Sequence, residues 1–122
     1  LGFTEALLRG IGCNWLVCLA VFAAAASTET IGKIAALWFP TMAFVALGME
    51  HCIANMFFIP LGILTGTDPR YIALVEAGKA AALKADFYSF AVGNLIPVTI
   101  GNIIGGSVLV GMLYLAANIK KA

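Results

Sequence analysis

The stretch Gly48-Met49-Glu50-His51-Cys52-Ile53-Ala54-Asn55-Met56 places an acid and an imidazole inside a long apolar segment. That segment runs from residue 34 to residue 67, and Glu50 and His51 are its only acidic, basic or histidine side chains. Ionisable side chains within a membrane-spanning segment are costly, and by default they face a cavity, a partner or a substrate path. We therefore take Glu50 and His51 as the candidate functional centre, although hydrogen bonding to neighbouring helices is the alternative role for them.

The composition of the chain disfavours the soluble classes of protein. Of its 122 residues, 62% are hydrophobic and 11% are charged, and the mean hydropathy is +1.03. A soluble domain is about 25% charged, and a short chain has a large surface to cover with polar groups. A soluble enzyme, a nucleic-acid-binding module and a disordered linker are therefore disfavoured, and the net charge of +1 gives no basic field for phosphates. We predict an all-α membrane protein in contact with the lipid bilayer.

Charged residues divide the chain into three long apolar runs, each with room for the roughly 20 residues that cross a bilayer. We predict transmembrane spans at about residues 4–27, 34–66 and 87–119. The second run is longer than one straight helix across a hydrocarbon core of about 30 Å. Its glycines and prolines, Gly48 and Pro60 among them, permit a break. The prediction is a three-span helical bundle whose second span is broken near Glu50-His51.

Small residues predict how the spans pack. Gly62 and Gly66, and likewise Gly101 and Gly105, have the spacing that lets two helix backbones approach closely in a membrane. We therefore expect a compact bundle or an oligomer and not three independent anchors. The connection before the third span contains an alanine- and lysine-rich segment, residues 73–84, which we expect to form a helix at the membrane interface.

Further polar and aromatic side chains in the apolar runs are candidates for the same site. Asn14 and Asn102 lie deep in the first and third runs, and Asn55 follows His51 by one helical turn. Phe44 precedes His51 by two turns on the same face, where a ring could close a path hydrophobically. Each also has a packing role open to it. The chain has one histidine and lacks the His-Glu-x-x-His spacing, so we predict no catalytic residue, metal site or cofactor.

Three segments together resemble known helices of one family. Residues Cys13 to Ala20 resemble the fourth, Glu50 to Phe57 with Ile59-Pro60 the broken fifth, and Asn94 to Gly106 the sixth helix of the formate/nitrite transporter family. The order and spacing of all three match, and together they cover nearly the whole chain. The continuation Asn-Met-Phe-Phe-Ile-Pro is more similar to the formate branch than to the nitrite branch.

The resemblance implies a protomer of six spans, built as two inverted three-span repeats with an aquaporin-like shape and assembled as a homopentamer. This chain, residues 1–122, would supply the C-terminal half, and the missing N-terminal half would lie outside it. In the family, the histidine matching His51 lies at the centre of the pore, and the residues matching Phe44 and Val17 contribute to a constriction. The residues that lie near the histidine or hold its surroundings match Asn14, Glu50, Asn55 and Asn102.

The implied function is passage of a small monovalent anion, formate first and nitrite or hydrosulfide as related candidates, across a prokaryotic inner membrane. We expect His51 to donate a hydrogen bond or a proton, because its reference pKa of about 6.5 shifts easily. An aquaporin-like channel for neutral solutes is an alternative, although its Asn-Pro-Ala pairs are absent. A non-conducting structural subunit is another, but it gives no reason for an acid and an imidazole at a helix break. A lone histidine supports a membrane enzyme poorly.

Overall fold

The computed structural model describes residues 1–73 and 86–119, and every regular element in those ranges is a helix. We number the helices α1 (Phe3–Ala26), α2 (Thr30–Ala46), α3 (Cys52–Thr65), the single turn α4 (Pro69–Ile72) and α5 (Phe87–Ile119). By length and composition, α1 and α5 are each able to cross a membrane, whereas α2 and α3 are shorter apolar helices. The helix expected at residues 73–84 lies, apart from its first residue, outside the described part of the chain.

Helices α2 and α3 form the broken second span, and the residues between them, 47–51, are called the helix break below. Gly48 has φ +62°, a left-handed conformation that glycine adopts at no steric cost. Its N–H bonds to the carbonyl of Val45 at 3.0 Å, and the N–H of Met49 bonds to that of Phe44 at 3.0 Å. This is the Schellman arrangement that ends a helix. The predicted break is confirmed, but Pro60 takes no part in it, because it lies inside α3.

Helices α1 and α5 pack backbone against backbone through glycines. A Cβ atom added at Gly10 would stand 2.9 Å from the carbonyl oxygen of Val98, and one at Gly101 would stand 3.1 Å from the Cα atom of Gly10. A Cβ atom at Gly105 would collide with the backbone of Ile11. The predicted contact through Gly101 and Gly105 is thus confirmed. It fixes the distance between the two helices that frame the helix break.

The outer surface of the bundle is strongly apolar. More than 60% of Trp38, Phe39, Phe57 and Phe58 is exposed, which suits a surface covered by lipid or by further membrane helices. A Cβ atom at Gly62 would meet nothing within 4 Å. Gly62 therefore makes no close helix contact within the described ranges.

Helix α5 contains two π-helical segments, Ala91–Leu95 and Ile104–Met112. The first directly precedes Pro97, which has no N–H and whose ring crowds the carbonyl four residues earlier. The N–H of Ile96 accordingly bonds to the carbonyl five residues back instead of four. Such a wide turn displaces side chains from their ordinary helical positions. It holds Asn94, which belongs to the site described next.

Candidate functional site

The site lies where the chain enters α3, because this is where the helix leaves N–H groups without partners in its own backbone. His51 is the N-cap residue and has an extended backbone with φ −115° and ψ 115°. Its Nδ1 accepts a bond from the N–H of Ala54 at 3.4 Å. In a neutral imidazole, an acceptor at Nδ1 leaves the proton on Nε2. In residues 1–73 and 86–119, every buried polar side-chain atom has a hydrogen-bond partner, whereas Nε2 of His51 has none, so Nε2 is not buried. Nε2 is therefore an accessible donor.

The carboxylate of Glu50, the residue before His51, is held by two asparagine amides. Its Oε2 accepts a bond from Nδ2 of Asn55 at 2.6 Å and one from Nδ2 of Asn94 at 3.0 Å. The same Nδ2 of Asn55 donates to Oδ1 of Asn94 at 2.8 Å. Glu50, Asn55 and Asn94 thus form a closed ring, called the amide–carboxylate ring below. Hydrogen bonds to an ionised group are about twice as strong as neutral ones, so the ring joins the helix break firmly to α3 and α5.

Asn102 joins the α3 side of the helix break to helix α1, and only 3% of its surface is exposed. Its Oδ1 accepts a bond from the N–H of Cys52 at 2.9 Å. Its Nδ2 donates to the carbonyl of Glu50 at 3.0 Å and to that of Gly10 at 2.8 Å. Nδ2 of Asn14 donates to the backbone carbonyl of Asn102 at 2.9 Å. Irregular backbone at membrane depth is tolerated only when such partners satisfy it, and Asn102 supplies them.

Arg9 supports the α2 side of the helix break from helix α1. Its Nη1 donates to the carbonyl of Gly48 at 3.1 Å, and its backbone carbonyl accepts the N–H of Glu50 at 3.4 Å. The guanidinium also pairs with Glu5 at 2.7 Å. A cation at the C-terminal end of a helix is favoured by the helix dipole. Arg9 therefore stabilises the end of α2 through both charge and hydrogen bonding.

Phe44 and Val17 are the apolar residues that the sequence places in the site. Phe44 lies in the last turn of α2, with its ring centroid 5.9 Å from that of His51 and the ring planes 33° apart. The aromatic side chain is therefore a direct neighbour of the imidazole. Val17 is partly buried and lies one helical turn beyond Asn14 on α1. The part played by these two residues in a constriction stays a prediction.

Arg9 and Asn94 belong to the site but were not selected from the sequence. The partner that places Arg9 in the site is a backbone carbonyl 39 residues away, and no side-chain pattern in the sequence identifies a carbonyl as a partner. Asn94 is 44 residues from Glu50. It carries the same signal as Asn102, an amide deep in the third apolar run, and that signal could have identified it.

The described residues contain no group of three histidine, cysteine, aspartate or glutamate side chains close enough to hold a metal ion. The three cysteines are free, and Cys13 is buried. The polar chemistry of the site in residues 1–73 and 86–119 therefore comprises one imidazole, one carboxylate, the guanidinium of Arg9, the asparagine amides and the backbone groups of the helix break.

The chain is an apolar helical bundle with one discontinuous helix, and titratable side chains lie at the discontinuity. These features are typical of polytopic membrane proteins whose ligand sites lie at broken helices. The model of the formate/nitrite transporter family matches residues 1–116. The chain belongs to this family and is part of an integral membrane protein, and the predicted all-α, aquaporin-like membrane bundle is confirmed.

Relatives and a solved structure show how much of the family's length the chain represents. It is 46% identical over 121 residues to "Probable formate transporter" of Methanothermobacter thermautotrophicus, covering 99% of this chain and 38% of that protein. It is 41% identical over 110 residues to "Formate channel FocA" of Haemophilus influenzae, covering 88% of this chain and 39% of that protein. The solved structure "Pentameric formate channel with formate bound" is 40% identical with a TM-score of 0.83, and the match covers 98% of this chain and 48% of that chain. The chain thus spans about two fifths of the length of these curated relatives.

Proposed function

We propose that the protein to which this chain belongs is a membrane channel or transporter for formate or a related small monovalent anion, nitrite and hydrosulfide included. The observation that carries the proposal is the accessible Nε2 donor of His51 at the start of α3. The start of a helix bears partial positive charge and favours anions. The names of the relatives, a probable formate transporter and a formate channel, support the same substrate class.

We further propose that the chain forms the C-terminal half of a six-span protomer, with its spans at about residues 4–27, 34–66 and 87–119. The relatives are long enough to hold a second unit of this size. The similar solved channel is pentameric, and we propose a homopentamer in a prokaryotic inner membrane. Haemophilus influenzae, the source of one relative, is a bacterium.

In the proposed mechanism, the anion approaches His51 and replaces part of its hydration with the bond donated by Nε2. When the ring takes up a second proton at Nδ1, it gives up the bond from the N–H of Ala54, and Nε2 then transfers one proton to formate. Neutral formic acid crosses the apolar constriction formed by Phe44 and Val17 and releases that proton to water on the far side, and a hydronium ion on the entry side protonates the ring again. Glu50 favours the protonated imidazole through its negative charge. The side chains that hold these groups in place along the pathway are Asn14, Asn55 and Asn102.

The test is formate flux into proteoliposomes containing the full-length protein, measured between about pH 5 and pH 8, the range in which an unperturbed histidine changes charge. We expect the pH dependence to disappear in His51→Phe, which has neither donor nor titratable group. His51→Asn restores a donor that does not titrate, so it should conduct without pH dependence. Flux that keeps its pH dependence in both variants would refute proton donation. Glycerol flux as fast as formate flux in the unmodified protein would favour the neutral-solute channel instead.

A further inference from the structure

We infer that Asn94 is a positioning residue of the proposed pathway, which holds from helix α5 the carboxylate of Glu50, the residue that precedes His51. This inference rests on the proposed function. Asn94 makes no hydrogen bond to the imidazole within the described ranges. Its amide donates to Oε2 of Glu50 at 3.0 Å and accepts from Asn55 at 2.8 Å. It therefore acts on the pathway through the amide–carboxylate ring.

The charges around Glu50 explain why an amide on α5 matters. Residues 87–119 contain no acidic, basic or histidine side chain, so α5 offers Glu50 no cation. Arg9 on α1 meets Glu50 through its backbone carbonyl, while its guanidinium is bound to Glu5 and to the carbonyl of Gly48. The side-chain donors that Glu50 has within the described ranges are the amides of Asn55 and Asn94. Asn94 is thus the side chain through which α5 fixes the carboxylate.

The local fold of α5 supports the same role. Asn94 lies in the π-helical segment Ala91–Leu95, which directly precedes Ile96-Pro97. Single π-helical turns within α-helices are frequent at functional sites because they redirect side chains. Proline maintains the wide turn, since it cannot supply the N–H of a regular turn. The π-helical turn contains the amide that lies within hydrogen-bond distance of the Glu50 carboxylate in the helix break.

The ring allows an exchange experiment because its bonding pattern is symmetric. In the unmodified protein, the carboxylate at position 50 accepts bonds from Asn55 and from the amide at position 94. In the double variant Glu50→Gln with Asn94→Asp, the carboxylate at position 94 would accept bonds from Asn55 and from the amide at position 50. Asn94→Asp breaks the pattern, because it faces carboxylate with carboxylate, whereas Glu50→Gln keeps an acceptor oxygen for both amides but removes the negative charge that strengthens their bonds. We expect each single variant to lower maximal formate flux at least tenfold, and the double variant to recover to within threefold of the unmodified protein.

The assay is initial formate flux as a function of formate concentration in proteoliposomes of the full-length protein, with the amount of folded protein determined by gel filtration. Asn118→Asp is the matched control, because Asn118 is an exposed asparagine on α5 that bonds to the carbonyl of Tyr114. Its flux should be unchanged. Asn94→Leu should lower the maximal flux and leave the formate concentration for half-maximal flux within twofold, because Asn94 does not bind the anion.

A double variant no better than the poorer single variant would overturn the inference, as would unchanged flux in Asn94→Leu. If Asn94→Leu does not fold, the exchange pair still decides the matter. Absence of formate flux in the unmodified protein would overturn the proposed function and this inference together. Flux in the unmodified protein without reciprocal rescue would overturn only the role of Asn94.

Discussion

Replacing Asn102 by leucine removes the side chain that bonds the α3 end of the helix break to helix α1. Leucine has as many side-chain heavy atoms as asparagine in the same branched arrangement, so the substitution removes the hydrogen bonds without shortening the side chain. Three backbone groups lose a partner: the N–H of Cys52 and the carbonyls of Glu50 and Gly10, bonded at 2.9, 3.0 and 2.8 Å. Only 3% of Asn102 is exposed, so water does not replace the amide in the folded state.

The size of the loss follows from the number of groups left without partners. A buried group without a partner costs about 1–3 kcal/mol, so three groups cost at least about 3 kcal/mol. Interhelical side-chain bonds measured in a membrane average only about 0.6 kcal/mol, which would give about 2 kcal/mol for three. We expect the larger value, because Asn102 bonds to backbone groups that the helix break leaves without helical partners, and these groups find no alternative partner in the folded bundle.

The measurement is reversible unfolding of the full-length protein in mixed detergent micelles, which gives a free energy of unfolding for each variant. Asn118→Leu is the control, because it removes an asparagine from the exposed end of α5 and should cost about 0.5 kcal/mol or less, as surface substitutions do. A loss for Asn102→Leu no greater than that of the control would show that the helix break does not depend on these three bonds.

Three further predictions concern the ends of the helices. Gly48→Ala should lower the free energy of unfolding by about 1–2 kcal/mol, since Gly48 has φ +62° and an L-residue pays that cost in the left-handed region; an unchanged value would contradict the Schellman end. Arg9→Met should lower the free energy of unfolding by about 1 kcal/mol, because it loses the bond to the Gly48 carbonyl. The control Arg70→Met should leave it unchanged, because the guanidinium of Arg70 is largely exposed. Equal losses in the two variants would contradict the role of Arg9 at the end of α2. The N–H of Ser89 holds the pKa of Asp86 below its usual value. Because the pKa of Asp86 is lower in the folded than in the unfolded state, the cap stabilises the fold at pH values above the unfolded-state pKa, and this stabilisation is lost as pH falls through the folded-state pKa. Asp86→Asn should keep the cap and lose that acid dependence. Melting temperatures measured between about pH 2 and pH 6 would show the difference.

The sequence predicts the features that have local causes. The helix break follows from Gly48 and from the titratable pair beside it, because an αL glycine and a charged side chain each disfavour a continuous apolar helix. The close approach of α1 and α5 follows from Gly101 and Gly105, because two glycines four residues apart leave one face of a helix without side chains and let another backbone approach it. Pro60 is the informative exception: a proline near the break permits an end there, but the structure accommodates it inside α3.

The features that the sequence does not predict depend on partners far apart in the chain. An amide in an apolar run indicates a hydrogen bond but does not identify its partner. Asn102 and Asn94 carry equal signals in the sequence, yet one bonds mainly to backbone groups and the other to a carboxylate. The difference arises from the π-helical turn before Pro97 and from the depth at which α5 packs on α1. Both are properties of the assembled bundle.

The distribution of hydrogen bonds separates the groups that build the site from the group that is free to act in it. The amide nitrogens of Asn14, Asn55, Asn94 and Asn102 are all engaged with backbone carbonyls or with the ring partners. A passing anion requires donors, and in the described ranges the unengaged side-chain donor at the helix break is Nε2 of His51. Substitutions of the amides should therefore act first on the stability and geometry of the helix break. Substitutions of His51 should act first on which anion passes and on how its flux depends on pH. A variant of His51 that unfolds much of the protein, but whose folded fraction keeps the normal pH dependence of flux, would contradict this assignment of roles to His51 and to the amides.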